Sequence, residues 1–173
     1  MHSRKLLVAA VALAGVSSAA SAQGAVADTR ALWAGAMHNV IEAAKDMPEA
    51  KYGYRPIASV RTFGELVGHV AGSQEMFCAI ALGQKPPAED AVEKQAKTKD
   101  ALVAALEKSN TSCEAAYAQS DAAATGKVDV FGAQHSRLHA LILNAMHDGE
   151  HYGNIVTYLR MNGMVPPSSK PAK

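Results

Sequence analysis

The chain has 173 residues, 49% apolar and 19% charged, with a formal charge of +1, 13 Gly, 7 Pro and 2 Cys. That length fits one domain, the charge is too low for a disordered chain, and two cysteines are too few for a disulfide-built miniprotein. Aromatic residues make up only 5%, so Ala, Leu, Val and Met must fill most of the core, and no basic stripe marks a nucleic-acid binder.

Residues 1–22 read MHSRKLLVAAVALAGVSSAASA. Arg4 and Lys5 form a positive start, Leu6 to Val16 an apolar run, and Ala20-Ser21-Ala22 a small-x-small cleavage site before Gln23. This is the pattern of a secretory signal peptide, too short in its apolar stretch to span a bilayer. Cleavage leaves residues 23–173 as a single domain with 15 basic and 16 acidic side chains. The mature chain is therefore expected to be exported, periplasmic in a host with two membranes, and not stably inserted in a membrane. Export permits a disulfide.

Four helices follow in chain order. The first is predicted from Asp28, a candidate N-cap, to Asp46, with Trp33, Met37, Val40, Ile41 and Ala44 at helical spacing. Met47-Pro48 stops it. The second starts at Thr62, where Thr62-Phe63-Gly64-Glu65 matches a capping box, and carries Phe63, Leu66, Val67, Val70, Phe77 and Ile80 to Leu82, with Gly83 as its end signal. The third covers Val92 to Gln119, with Leu102, Val103, Leu106, Cys113 and Tyr117 on its apolar side. The fourth runs from Gln134 to Asn162 and ends at Gly163. No window alternates with period two, so no sheet is expected. The fold class is all-α, a four-helix bundle with a mobile tail from Ser168 to Lys173.

The histidines carry what chemistry there is. His147 and His151 are four apart on the last helix, about 40° around it and one turn along, so two imidazoles share a face and can grip one ion. Asn144, Asn154 and Tyr158 lie near the same angle. A polar run on the inward side of a bundle helix is costly unless satisfied, and a metal with outer hydrogen bonds would satisfy it. The third ligand must come from another helix. His69 lies in the core-facing line Thr62, Leu66, His69, Ser73, Met76, Ile80, flanked by Gly68 and Gly72, which would admit a neighbouring backbone. Glu65, one turn earlier, is either a fourth ligand or the closing member of its capping box. The run His147-Asp148-Gly149-Glu150-His151 also matches the inverted zincin pattern H-x-x-E-H, but no Asp or Glu follows in residues 152–173 to act as its third ligand. His135 and His139, also four apart, lie about 18 Å further back along the helix and cannot share that ion. They read as surface or helix-start residues.

The segments Arg61-Thr62-Phe63-Gly64-Glu65-Leu66-Val67-Gly68-His69-Val70 and His147-Asp148-Gly149-Glu150-His151-Tyr152-Gly153-Asn154-Ile155-Val156-Thr157-Tyr158-Leu159-Arg160 resemble the DinB family. So do Met47-Pro48 with Tyr54-Arg55-Pro56 before them and Gly163 to Ser169 after them. The resemblance implies a four-helix bundle with a divalent metal (Zn, Ni, Mn or Fe) held by one His of the second helix and two of the fourth: His69, His147 and His151. It leaves the reaction open between a hydrolase and a thiol transferase acting on a small molecule, or a non-catalytic bundle that binds a metal or small ligand. Glu150 is the candidate general base or outer-sphere acceptor, and Tyr54 and Arg55 could gate a mouth. Cys78, about 180° around its helix from His69, is placed away from the metal, and a Cys78–Cys113 bond or two buried thiols are both open. Gly149 and Gly153, opposite the His face, each cost the helix about 1 kcal/mol relative to Ala, which close packing on another helix, in this chain or in a homodimer, would offset.

Overall fold

Helix α1 opens on a borrowed cap. It runs Ala25–Asp46, three residues longer at its start than expected, because its free amides are met from elsewhere in the chain: the Asp121 carboxylate accepts from the Ala25 and Val26 amides, both at 3.0 Å. Asp28 sits in the first turn, where a negative charge suits the helix dipole. The structure, a computed structural model, describes residues 24–171; the expected signal peptide lies outside the described residues.

Helix α2 (Phe63–Ala81) begins at the capping box the sequence announces. The Thr62 amide donates to Glu65 Oε2 at 2.7 Å and the Glu65 amide to Thr62 Oγ1 at 3.2 Å. Those bonds hold the Glu65 carboxyl below its usual range. Glu65 thus closes the cap and is not among the clustered ligands. The single third helix of the sequence reading is instead two, a short α3 (Ala91–Gln95) and a long α4 (Lys99–Tyr117). Thr98 separates them: it is extended and caps α4 through its side chain, which accepts from the Ala101 amide at 3.2 Å. After the short α5 (Asp121–Ala124) comes a correction to the expectation of no sheet. Strands β1 (Lys127–Val130) and β2 (Ala133–Ser136) pair antiparallel, joined by Phe131 and Gly132, both at positive φ. Lys127-Val128-Asp129-Val130 does alternate, but over four residues, too few to register as a period. Helix α6 (Arg137–Met161) follows directly, capped by Ser136 Oγ accepting from the His139 amide at 3.1 Å.

The four long helices close a ring in the order α1, α6, α2, α4, which is the expected four-helix bundle with a small hairpin attached. The core is aliphatic with a few large anchors. Trp33 stacks on Tyr117 at 4.3 Å between ring centres, and their polar tips are satisfied internally. Trp33 Nε1 donates to Gln74 Oε1 at 2.7 Å and Tyr117 OH to the Leu141 carbonyl at 2.9 Å. Cys78 and Cys113 lie at disulfide distance, with Cα atoms 5.3 Å apart, tying α2 to α4. The segment after α6 is anchored as far as Lys170: Tyr152 OH donates to Ser168 Oγ at 2.7 Å, and Lys170 Nζ meets Asp46 at 2.6 Å. Among the described residues no helix is long and apolar enough to cross a membrane.

Candidate metal centre

Helix α2 aims His69 inward with 7% of its surface exposed. It can do so because α2 is lined on that side by glycine. A Cβ at Gly68 would lie 2.8 Å from Glu93 Cα, and one at Gly72 would run into the Glu89 carbonyl oxygen. The expected close approach of a backbone is therefore made by the segment leading into α3. Opposite, α6 presents His147 and His151 one turn apart.

The three Nε2 atoms form a near-equilateral triangle. His69 to His151 is 3.1 Å, His69 to His147 is 3.2 Å and His147 to His151 is 3.0 Å. Three mutual contacts of this length cannot all be hydrogen bonds, because each neutral Nε2 offers one proton or one lone pair, never both. A shared ion resolves the frustration. Ligand nitrogens about 2.0–2.1 Å from a metal lie roughly 2.9–3.4 Å from one another for angles between octahedral and tetrahedral. No fourth side chain completes the set among the described residues, so at least one coordination position is left for another molecule.

Two of the imidazoles, His69 and His151, are held neutral, as ligands must be. Burial pushes His69 down to about 3, helped by the Arg61 charge and the two other rings. Burial likewise pushes His151 down to about 4, with His147 adding to it. Each outward nitrogen faces a polar neighbour. His69 Nδ1 is 3.5 Å from Ser73 Oγ, which donates to Glu89 Oε1 at 2.9 Å. His151 Nδ1 is 3.3 Å from the Asn154 amide. His147 Nδ1 has Asp148 Oδ1 at 3.8 Å, too long for a hydrogen bond.

That last pair carries information. Among the described residues, His147 Nδ1 and both Asp148 oxygens are buried without a partner, and Asp148 is fully buried. A lone carboxylate in a core is strongly disfavoured, and burial lifts its pKa to about 6. A dication on the far side of His147 is the charge that would balance it, through an imidazole whose Nδ1–H then points at the carboxylate. The residues present fit a divalent metal.

Glu150 is exposed and bonded to none of the three rings. Tyr54 packs edge-on against Tyr158 at 6.1 Å, while Arg55 reaches back to its own loop. His135 and His139 stack on each other, 4.0 Å between centres, outside the cluster. His151 opens onto a cleft of about 720 Å³ between the 56–61 loop and α6. Tyr158, expected near the ligands, borders this cleft and donates to the Arg61 carbonyl at 2.6 Å. Sequence reasoning missed Glu89, which reaches Ser73 from a loop with no periodicity to place it. It also missed Asp148, which it named only as a member of the H-x-x-E-H run.

Residues 32–155 match the DinB superfamily. The chain belongs to the DinB superfamily. Its fold resembles that of a DinB-like protein from Bacillus cereus ATCC 10987, with a TM-score of 0.70 at 14% identity over 80% of this chain and 93% of that one. It also resembles the mycothiol-dependent maleylpyruvate isomerase, with a TM-score of 0.65 at 17% identity, and a mutant form of that enzyme, with 0.66 at 16%. Each isomerase match covers 75% of this chain and 60% of the isomerase, so this DinB-superfamily chain spans well under two thirds of that enzyme. At these identities the likeness is one of fold. No curated protein matches the chain.

Proposed function

We propose that this exported DinB-superfamily protein is a metal-dependent enzyme in which His69, His147 and His151 hold a divalent ion (Zn²⁺, Ni²⁺, Mn²⁺ or Fe²⁺) and which acts as a hydrolase or thiol transferase on a small molecule. The observation that carries it is the triangle of three Nε2 atoms, 3.0–3.2 Å on a side, beside a cleft. When bound, such an ion acidifies a water or a thiol at neutral pH. The chain's own groups do the rest. Ser73 with Glu89 stands behind His69 and Asn154 behind His151, keeping their Nε2 atoms turned inward, while Asp148 supplies a buried negative charge beside His147. His151, shared between the cluster and the cleft wall, gives a substrate its approach. Glu150 is exposed and can accept a proton from the site only through water. The thiol chemistry draws support from the mycothiol-dependent isomerase of shared fold. The cleft favours an enzyme over a bundle that merely stores the metal, since storage needs no access.

The test is elemental analysis of protein isolated without an affinity tag, followed by ester, amide and thiol-transfer assays of the loaded protein. About one ion per chain is expected, lost in His147→Ala and His69→Ala with helical content kept. Unchanged metal content in His147→Ala would overturn the assignment.

A further inference from the structure

We infer that the cleft beside the three histidines is a binding site for a small organic carboxylate, whose charged end is held by the guanidinium of Arg61. The inference deepens the enzymatic reading above and rests on it only in taking this cleft as the substrate's place.

Arg61 is a fixed group despite its partial exposure. Its carbonyl accepts from Tyr158 OH at 2.6 Å. Its Nε donates to both Glu93 oxygens, at 3.1 and 3.2 Å. Glu93 is itself held on α3, whose backbone rests against Gly68 of α2. The backbone of Arg61 is thus held from α6 through its carbonyl and its guanidinium from α3 through Nε, while Nη1 and Nη2 make no hydrogen bond among the described residues. Four N–H donors in a rigid planar fork remain, the arrangement that pairs with a carboxylate through two parallel bonds.

The remaining walls narrow the class. Among the described residues, Arg61 is the only cation lining the cleft, and Glu93 is the only acid. There is no lysine and no second arginine to meet a dianion, so a phosphate monoester is poorly served and a single carboxylate is matched. One wall, from Ile57, Val60 and Leu66, is hydrocarbon and would lie against an apolar body. The other, from His151, Asn154 and Thr157, offers polar contacts near the cluster. A volume of about 720 Å³ accommodates a molecule of drug-like size or smaller.

The test uses the mature protein loaded with Zn²⁺, and the same protein after chelation, titrated calorimetrically with phenylacetate, its neutral amide phenylacetamide, and inorganic phosphate. Phenylacetate should bind at least about tenfold more tightly than phenylacetamide or phosphate, and binding should persist, weakened, after chelation. R61Q should lose about tenfold or more for phenylacetate while keeping its metal content and the amide affinity. R61K, which keeps the charge but not the fork, should lose severalfold. Equal binding of phenylacetate by wild type, R61Q and R61K, no preference over the amide or phosphate, or no binding at all would each overturn the inference. Metal content is read separately, so absence of metal with Arg61-dependent binding intact would sink the enzymatic proposal and leave this one standing.

Discussion

At the scale of single residues, Asp148 is the most informative side chain outside the three ligands. It is fully buried, its oxygens have no partner, and the nearest candidate is His147 Nδ1 at 3.8 Å. If its role is to balance a metal-bound imidazole, Asp148→Asn should have opposite effects in the two states. Affinity for Zn²⁺, measured by chelator competition, should fall about 10–100-fold, as removal of such outer partners typically does. The metal-free protein should melt at the same or a higher temperature, because an uncompensated buried charge has gone. A merely structural role would lower both. The same groups set a pH dependence for the metal-free protein. His69 and His151 titrate near 3 and 4 when folded and near 6.5 when unfolded. Between about pH 4 and 6.5 the unfolded chain therefore binds more protons at these two sites, and stability rises with pH. Asp148 acts oppositely, since its folded value of about 6 lies above 3.8. Two groups outweigh one, so the urea midpoint in EDTA should climb from pH 4.5 to 7, and more steeply in Asp148→Asn. A midpoint that is flat or falls over that range contradicts the neutral-histidine site.

At the scale of elements, the site depends on how closely the 84–90 connection lies on α2. Gly72 has no room for a Cβ against the Glu89 carbonyl oxygen, so Gly72→Ala must push that segment away. Overpacking of this kind costs about 1–3 kcal/mol. It should also take Glu89 from Ser73 and loosen His69, so thermal stability and Zn²⁺ affinity should fall together. An unchanged melting temperature would show that the segment is mobile and holds nothing. The same region shows what was legible beforehand. Long apolar periodicities and the Thr62–Glu65 capping box place the second helix almost to the residue. The spacing of His147 and His151 and the core-facing line through His69 put all three on the right faces. What was not legible was contributed by contacts across the chain. Asp121 lengthens α1 by capping it from 95 residues away. Thr98 divides the third helix by a local change of backbone direction inside a stretch whose composition stays helical. The hairpin rests on Phe131 in a positive-φ conformation that its residue type does not advertise. Glu89 reaches Ser73 from an irregular loop, where no period links sequence position to direction.

At the scale of the whole molecule, export and self-association complete the proposal. Residues 1–22 carry the cleavage pattern, and the paired Cys78 and Cys113 suit an oxidising compartment. Intact mass of the protein recovered from its native compartment should place the first residue at Gln23, and a mass including Met1 would refute cleavage. The outer side of α6 then needs a reason for its glycines. Among the described residues, Gly149 and Gly153 have nothing within 4 Å of the space a Cβ would take, so packing against those residues, one of the two expectations, does not offset their cost. Gly149 borders an apolar groove with Ala36 and Ala145 at its floor and Leu32, Ile142 and Met146 on its rims. Leu32 is 73% and Met146 65% exposed. An isologous interface requires a face that can meet its own image under a two-fold axis, and we propose that this strip of small residues with two projecting aliphatic ones meets a second copy of this chain. Sedimentation velocity should show a dimer for the wild type and a monomer for Met146→Glu at equal metal content, because the substitution puts a charge on the exposed apolar rim. Gly149→Ala separates the alternatives further. In a monomer it should stabilise α6 by about 1 kcal/mol; in a dimer closely packed at Gly149 it should weaken association. A wild type that sediments as a monomer at every concentration, together with a stabilised Gly149→Ala, would leave this face to solvent.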